Sequence, residues 1–244
     1  MAELLTALLA AHLLGDFVLQ FNWVIAHKRN PAVLIAHVAL ITALSVAFSG
    51  VVLWPVIAIV FTSHLIMDAI KVHALKDTLR AFLIDQAVHL AVIVGLAIAY
   101  HDAFAAGVWP DLLGADTRWL LAGLAVLAGV IACVPAGGFL IRLATATFDD
   151  ALAHAASPGL ANGGLYIGWL ERALVLLLVL AGELTAIGFL VAAKSILRFG
   201  DIQGAEERKL TEYVIIGTFM SFGWAMLTAL ATRAALLHHL AGGP

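Results

Sequence analysis

The chain has 244 residues, of which 63% are hydrophobic and only 12% are charged, and its net charge at pH 7 is −3. Soluble domains are nearer half apolar and a quarter charged, so this composition excludes an ordinary soluble protein. The charge argues against a nucleic-acid partner, and the single cysteine, Cys133, excludes an intramolecular disulfide and a cysteine-based metal cluster. Recurring apolar runs of about 17 to 25 residues predict an all-α polytopic transmembrane bundle of about seven helices.

Four helices are predicted in the first hundred residues, over 2–21, 31–49, 54–73 and 82–100. The first is interpreted as a retained helix, because Met1-Ala2-Glu3 lacks the basic segment of a cleaved signal. The turns after the first and third helices carry Lys28, Arg29, Lys76 and Arg80, which predicts that both turns face the cytoplasm. Residues 1–101 are expected to form one four-helix bundle.

Residues 102–244 are predicted to form a second set of transmembrane helices, beginning with a helix over 119–134. Residues 137–155 are amphipathic, which is typical of a helix lying in the membrane interface. Residues 165–199 would make a single helix about 52 Å long, so they form either one tilted helix or two segments meeting near Gly182 and Glu183. A charged loop is predicted over 200–208 and a last helix over 211–237.

Two of the predicted helices carry the same motif, histidine-leucine-x-x-aspartate, which begins at His12 and again at His64. Each motif histidine is followed 25 residues later by one further intramembrane histidine, His37 and His89. This pattern predicts a duplicated helical hairpin that brings four histidines together. Polar groups cost free energy to insert into lipid, so a matched set indicates a functional site.

The predicted depths of these side chains agree. At 1.5 Å per residue, all four histidines lie roughly 10–14 Å from the cytoplasmic ends of their helices. The motif aspartates, Asp16 and Asp68, lie one turn nearer the cytoplasm, and Asp85 joins that layer from the fourth helix. Residues four positions apart share one face of a helix. The sequence therefore predicts a histidine layer capped by a carboxylate layer.

Imidazole and carboxylate ligands suit a divalent transition metal such as zinc, manganese or iron, with one or two ions per chain. The predicted ligands are His12, Asp16, His37, His64, Asp68 and His89. A site without thiolates favours a catalytic centre with an open position. Asp85 is the expected general base and Lys71 the expected catalytic cation, with Gln20 and Gln86 supporting the ligands. Two alternatives to a metal site remain: a metal-free histidine–aspartate proton relay, and polar contacts that only hold the helices together.

A second, weaker set of charged residues lies in the C-terminal half. Arg172, Lys194 and Arg198 are candidates for binding a lipid headgroup, and an intramembrane ion-pair ladder with snorkelling ends is the alternative. The remaining histidines are expected at helix ends or on the surface, among them His239.

The resemblance to a known family rests on spaced motifs: His12-Leu-Leu-Gly-Asp16-Phe-x-Leu-Gln20, a downstream Lys28, His37, Ser63-His64-Leu-x-x-Asp68-x-x-Lys71 and Asp85-Gln86-x-x-His89. In these motifs the first hundred residues resemble a bacterial family of integral membrane proteins catalogued as a domain of unknown function, number 3307. This resemblance implies a location in the bacterial inner membrane. The region around Glu171 and Arg172 and that from Lys194 to Phe199 resemble the C-terminal part of some members. Ser-His-Leu-x-x-Asp is more loosely similar to a motif of inner-membrane proteins described as metal-dependent hydrolases.

The expected function is metal-dependent hydrolysis or transfer on a lipid-linked or amphipathic substrate. The expected partners are membrane lipid and a small-molecule or lipid-linked substrate. Assembly into a homo-oligomer is a further possibility. A transporter for metal ions or protons is the first alternative, since parallel repeats with an intramembrane ionisable site also fit that class. A structural or partner-binding membrane subunit is the second.

Overall fold

The computed structural model describes residues 1–148, 162–196 and 205–241, and these are helical without any strand. The architecture is the expected all-α polytopic bundle of an integral membrane protein. In the described part of the chain, six helical segments are long and apolar enough to cross a membrane: Pro31–Ser49, Trp54–Ala74, Leu79–Ala99, Val108–Thr145, Gly163–Ala181 and Thr211–Leu240. The first helix, of 16 residues, is shorter than any of these.

The chain divides into two compact units, one formed by Met1–Ile131 with Ala234–Pro244 and the other by Ala132–Arg233. The α-helices of the first unit are α1 Ala2–Phe17, α2 Asn22–His27, α3 Pro31–Ser49, α4 Trp54–Ala74, α5 Leu79–Ala99, α6 Val108–Leu113 and α7 Thr117–Ile131. Those that begin in the second unit are α8 Gly137–Thr145, α9 Gly163–Ala181, α10 Leu184–Ile196 and α11 Ala205–Leu240.

Four helices of the first unit form a closed ring, in which α1 packs on α3, α3 on α4, α4 on α5 and α5 again on α1. The helix α7 packs against the outside of α1. Gly15 on α1 permits the closest approach to α3, because a Cβ atom there would overlap the side chain of Ile41. The ring therefore brings the inward faces of α1, α3, α4 and α5 together along one axis.

Local signals set the ends of α3. Asn30 caps its start by accepting a hydrogen bond from the Ala32 amide at 2.9 Å, and Pro31 occupies the first turn. Its end is Gly50, whose φ of +64° is a left-handed conformation that glycine adopts without strain. The predicted helix over 31–49 is confirmed residue for residue.

Other predicted boundaries are corrected. The first helix ends at Phe17 rather than 21, where the amides of Val18 and Leu19 share the carbonyl of Leu14, and α2 follows as a separate short helix. The apolar run continues past this end, and hydrophobicity alone does not mark where a helix stops. The described part of the segment over 165–199, up to residue 196, is two helices, as one of the two alternatives held, because Gly182 turns the chain at φ +86°.

Residues 137–145 form the helix α8, and the remainder of 137–155 lies largely outside the described residues, so the interfacial position of this segment stays a prediction. A π-helical turn, Ala132–Ala136, joins the two helices and contains Pro135. Proline has no amide proton and cannot donate to the carbonyl one turn before it, which interrupts the regular helical hydrogen bonding. The indole of Trp224 donates to the Ala132 carbonyl at 2.8 Å, and the guanidinium of Arg172 donates to that of Val134 at 3.1 Å.

Two further expectations were wrong. The charged loop predicted over 200–208 is helical from Ala205 onward, as part of α11. His239, expected on the surface, is 6% exposed and forms a 2.9 Å hydrogen bond with the hydroxyl of Thr6 in the same unit.

Candidate metal centre

Four helices of the ring each contribute one histidine to a single cluster. The imidazoles of His64 and His89 lie 4.1 Å apart between ring centroids, those of His12 and His89 5.0 Å, and those of His37 and His64 5.8 Å. Each of the four side chains is at most 4% exposed. The convergence predicted from the repeat is confirmed, although the four lie far apart in sequence.

One carboxylate oxygen of Asp16 lies close to two of the four histidines. Its Oδ1 lies 3.2 Å from His37 Nε2 and 3.3 Å from His64 Nε2. Asp68 Oδ2 lies 3.6 Å from each of the same two nitrogens. Ligand atoms bound about 2.0–2.2 Å from one tetrahedral metal ion stand about 3.3–3.6 Å apart, so these separations suit a shared ion.

His12 and His89 extend the cluster on the other side of His64. Donor atoms of His12, His64 and His89 lie within 4.8 Å of one another, as do those of Asp68, Asp85 and His89. Asp85 Oδ1 faces His89 Nδ1 at 3.6 Å, which is too long for a hydrogen bond. The six predicted ligand residues thus belong to three overlapping sets of donor atoms.

Lys71 and Gln86 hold the other oxygen of Asp85. The ammonium of Lys71 lies 2.5 Å from Asp85 Oδ2, and the amide of Gln86 donates to the same oxygen at 3.1 Å. The carbonyl oxygen of Gln86 lies 3.3 Å from His12 Nε2. Gln86 therefore links the expected general base to the cluster, as a supporting residue should.

Lys28 is a residue of the site that the sequence reasoning missed. It was counted only as a loop cation, yet it is 5% exposed and its ammonium lies 2.8 Å from Asp68 Oδ2. The same ammonium donates to Gln20 Oε1 at 3.0 Å, which gives Gln20 a supporting position beyond the end of α1. The family motif, which includes Lys28, was the signal that pointed to it.

Several buried nitrogen and oxygen atoms of the cluster, each able to bind a metal ion, have no hydrogen-bond partner among the described residues. They are His12 Nδ1, His64 Nε2, Asp85 Oδ1 and both ring nitrogens of His89, whereas Asp68 Oδ2 has its ion pair with Lys28. A buried polar atom without a partner costs about 1–3 kcal/mol. With neutral imidazoles, three carboxylates face two ammonium groups in this cluster. The remaining negative charge and the unpaired donor atoms suit a divalent cation.

A small pocket of about 20 Å³, room for about one water molecule, adjoins the histidines, and His12, His64 and His89 form part of its wall. The other wall residues are Leu8, Ile41, Ser45, Val60, Ser63, Val92 and Ile93. An ion held by the histidines would therefore have open space beside it, as an open catalytic site requires.

The second predicted set is only partly described. The guanidinium of Arg172 is buried and donates to the Ser221 hydroxyl at 3.1 Å as well as to the Val134 carbonyl. The ammonium of Lys194 donates to Glu171 Oε2 at 2.6 Å, and Arg198 lies outside the described residues. Only the Lys194–Glu171 contact among these is an ion pair, and the headgroup role of the three residues stays a prediction.

Comparisons with known proteins reach only the first unit. A family model described as "Protein of unknown function (DUF3307)" matches residues 4–109, a range that holds all four clustered histidines and the three aspartates. The resemblance read from the motifs is thereby confirmed for this part of the chain. No curated protein and no solved structure matched.

Proposed function

We propose that this protein is a membrane-embedded, metal-dependent hydrolase or transferase whose substrate is lipid-linked or amphipathic. One observation carries the proposal: four buried histidines and three carboxylates converge, and several of their nitrogen and oxygen atoms have no hydrogen-bond partner among the described residues. A cluster of this kind destabilises the apolar interior unless a bound cation satisfies it.

In the proposed site, Asp16, His37 and His64 hold one divalent transition metal ion, with Asp68 as a further ligand. His12 and His89 extend the ligand set, so one or two ions per chain fit the donor atoms. Zinc, manganese and iron all accept imidazole and carboxylate ligands. When bound, such an ion acidifies a water molecule and polarises the bond to be cleaved.

The positions of Asp85, Lys71 and Gln86 suggest their roles in the proposed reaction. Asp85 accepts a proton from the attacking water, and its contact with Lys71 and Gln86 keeps its carboxylate oriented. Lys71 is the most exposed charged group of the cluster, with 30% of its side chain accessible. It is therefore the cation best placed to meet an anionic group of the substrate.

The membrane location supports an amphipathic substrate, since the cluster lies among apolar helices. We place the protein in the bacterial inner membrane with the carboxylate side toward the cytoplasm, because Arg29, Lys76 and Arg80 flank that end of the ring. Labelling of single cysteines introduced at these positions in intact cells would test this orientation.

Metal analysis of the purified protein is the central test. Wild type handled without added metal should contain one or two first-row transition ions per chain, and His64→Ala should lose them. His73→Ala is the matched control, because His73 is exposed on the same helix and should leave metal content unchanged. A wild type without metal that takes up neither zinc nor manganese would refute the metal site.

A transporter for metal ions or protons is the second candidate. The pocket on one side of the histidines and the carboxylates on the other give the cluster two flanks, as a transport site needs. Proteoliposome flux measured beside hydrolysis separates the two. Ion flux without hydrolysis of any lipid phosphate or ester would favour transport, and hydrolysis without flux favours the enzyme.

A further inference from the structure

We infer that the proposed metal centre holds two ions with different roles. One, the closed ion, has four protein ligands. The other, the open ion, is bound by His12, His89 and Asp16 and keeps one coordination position for water. Asp16 bridges the two ions, with one carboxylate oxygen on each. This inference rests on the proposed function and assigns the number of its ions and the ligands of each.

The hydrogen bonds of Gln86 decide which ring nitrogen of His12 carries a proton. The carboxylate of Asp85 only accepts, so the 3.1 Å contact between its Oδ2 and the Gln86 side chain requires the amide NH₂ group to face Asp85. The amide carbonyl then faces His12 Nε2, 3.3 Å away, and a carbonyl also only accepts. In the neutral imidazole, Nε2 therefore carries the proton and Nδ1 presents its lone pair.

The lone pair of His12 Nδ1 faces an atom that does not donate either. Asp16 Oδ2 lies 3.8 Å from this nitrogen, which is too far for a hydrogen bond. Both ring nitrogens of His89 are likewise buried without a hydrogen-bond partner in the described part of the chain. The rings of His12 and His89 lie 5.0 Å apart, and their ligand atoms lie within 4.8 Å of each other. A cation between these atoms satisfies groups that are otherwise costly to bury.

The other oxygen of Asp16 belongs to the closed ion. Asp16 Oδ1 lies 3.2 Å from His37 Nε2 and 3.3 Å from His64 Nε2, and Asp68 Oδ2 lies 3.6 Å from both nitrogens. These four atoms complete a tetrahedral shell, as in structural zinc sites. The two oxygens of Asp16 thus face different ligand sets, which suits a bridge between ions about 3.5–4 Å apart.

The small pocket beside the histidines adjoins the open ion. Its wall includes His12, His64 and His89, whereas the other ligands of the closed ion are not among its wall residues. An ion with three protein ligands takes water at its fourth tetrahedral position, and the pocket of about 20 Å³ has room for about one water molecule. The open ion is therefore the one arranged as a catalytic ion.

The sequence repeat supports different roles for the two ions. His12 and His64 correspond at an offset of 52 residues, but Leu34 stands at the position that corresponds to Gln86. A leucine side chain cannot accept a hydrogen bond, so Leu34 does not fix a ring nitrogen of His64 in the way that Gln86 fixes one of His12. The repeat is thus asymmetric at the residue that orients His12 toward the open ion.

Manganese titration of the stripped protein, followed by electron paramagnetic resonance, tests the two ions. Wild type should bind two Mn²⁺ ions per chain and show the exchange-coupled signal of a bridged pair. His12→Ala should bind one ion and show the signal of isolated Mn²⁺. His73→Ala is the matched control, because His73 is exposed on α4, and it should keep two coupled ions.

Gln86→Leu tests the orientation of His12 without removing a ligand, and it keeps the inference testable if His12→Ala does not fold. The variant loses the hydrogen bond that holds the lone pair on Nδ1. Its affinity for the open ion should fall by about 10–100-fold, the usual effect of removing a residue that orients a metal ligand. Its affinity for the closed ion should equal that of wild type.

The outcomes separate failure of this inference from failure of the metal site. Wild type with one ion, two uncoupled ions, or two ions retained in His12→Ala would overturn the bridged pair and leave a metal site in place. Equal weakening of both ions in Gln86→Leu would overturn the assignment of His12 to the open ion alone. A wild type that binds neither manganese nor zinc would refute the proposed metal site and the two-ion centre together.

Discussion

Asp85 is the residue at which the repeat breaks. The histidines and motif aspartates recur at an offset of 52 residues, but Val33 stands at the position that corresponds to Asp85. The carboxylate is fully buried, bound to Lys71 and Gln86 through one oxygen and facing His89 with the other. A single acid outside the symmetric ligand set suggests a task beyond holding metal.

We expect Asp85→Asn to keep the bound metal and abolish turnover, because an amide does not accept the proton that a carboxylate accepts. Metal content is measured beside hydrolysis of a panel of lipid phosphates and esters. Asp77→Asn, an exposed aspartate in the turn before α5, serves as the control and should behave as wild type. Loss of metal from Asp85→Asn would instead make Asp85 a ligand.

Lys28 is expected to be a stabilising residue of the site. Lys28→Met leaves the buried carboxylate of Asp68 without its ion-pair partner, and breaking a buried pair in this way costs about 3–5 kcal/mol. The thermal unfolding midpoint of the metal-free protein should therefore fall clearly. Arg29→Met, at the exposed neighbouring position, should leave it nearly unchanged. Equal midpoints for the two variants would contradict the pairing.

At the scale of elements, the end of α3 depends on a close contact at Gly50. The chain turns there at φ +64°, Trp109 donates from its indole to the Ala47 carbonyl at 2.9 Å, and the Val108 amide donates to the Gly50 carbonyl at 3.0 Å. These hydrogen bonds hold the start of α6 against the end of α3. This contact closes the first unit at the end opposite to the carboxylates.

Gly50→Ala should destabilise the protein by about 1–3 kcal/mol, through the strained left-handed backbone and the new Cβ atom. That atom would lie 2.7 Å from Trp109 Cδ1. Gly123→Ala is the control, since a Cβ at that position on α7 meets no atom within 4 Å and alanine favours a helix. Thermal unfolding of both variants checks the difference, and a Gly50→Ala midpoint at or above that of Gly123→Ala would oppose it.

At the scale of the whole molecule, the proposed metal ion is expected to stabilise the packing of the four ring helices against one another. Its ligands come from α1, α3, α4 and α5, so an ion bound to the folded state alone links both hairpins. Ligand binding of this kind stabilises by about 2.7 kcal/mol when the free ion stands at 100 times its Kd.

Adding zinc or manganese to the stripped protein should therefore raise its unfolding midpoint, and a chelator should reverse the rise. His64→Ala should show no rise, whereas His73→Ala should respond as wild type does. A rise of equal size in His64→Ala would place the stabilising ion elsewhere on the chain.

The sequence by itself determined the class of protein, most helix positions and the composition of the cluster. A helix has a fixed rise and a fixed angle per residue, so spacing alone predicted both the depth and the common face of His12 and Asp16, or of His64 and Asp68. The apolar runs determined the spans in the same way. For these features, neighbours in sequence carry the information.

Only the tertiary structure decided which groups meet across the ring. Spacing did not reveal that Lys28 turns inward to Asp68, that Lys71 binds Asp85, or that His239 is buried against Thr6. Nor did it reveal that α1 stops at Phe17, four residues before its apolar run ends. The reason is physical: a helix fixes positions only along its own axis, whereas loop paths and contacts between helices depend on packing between residues far apart in the chain.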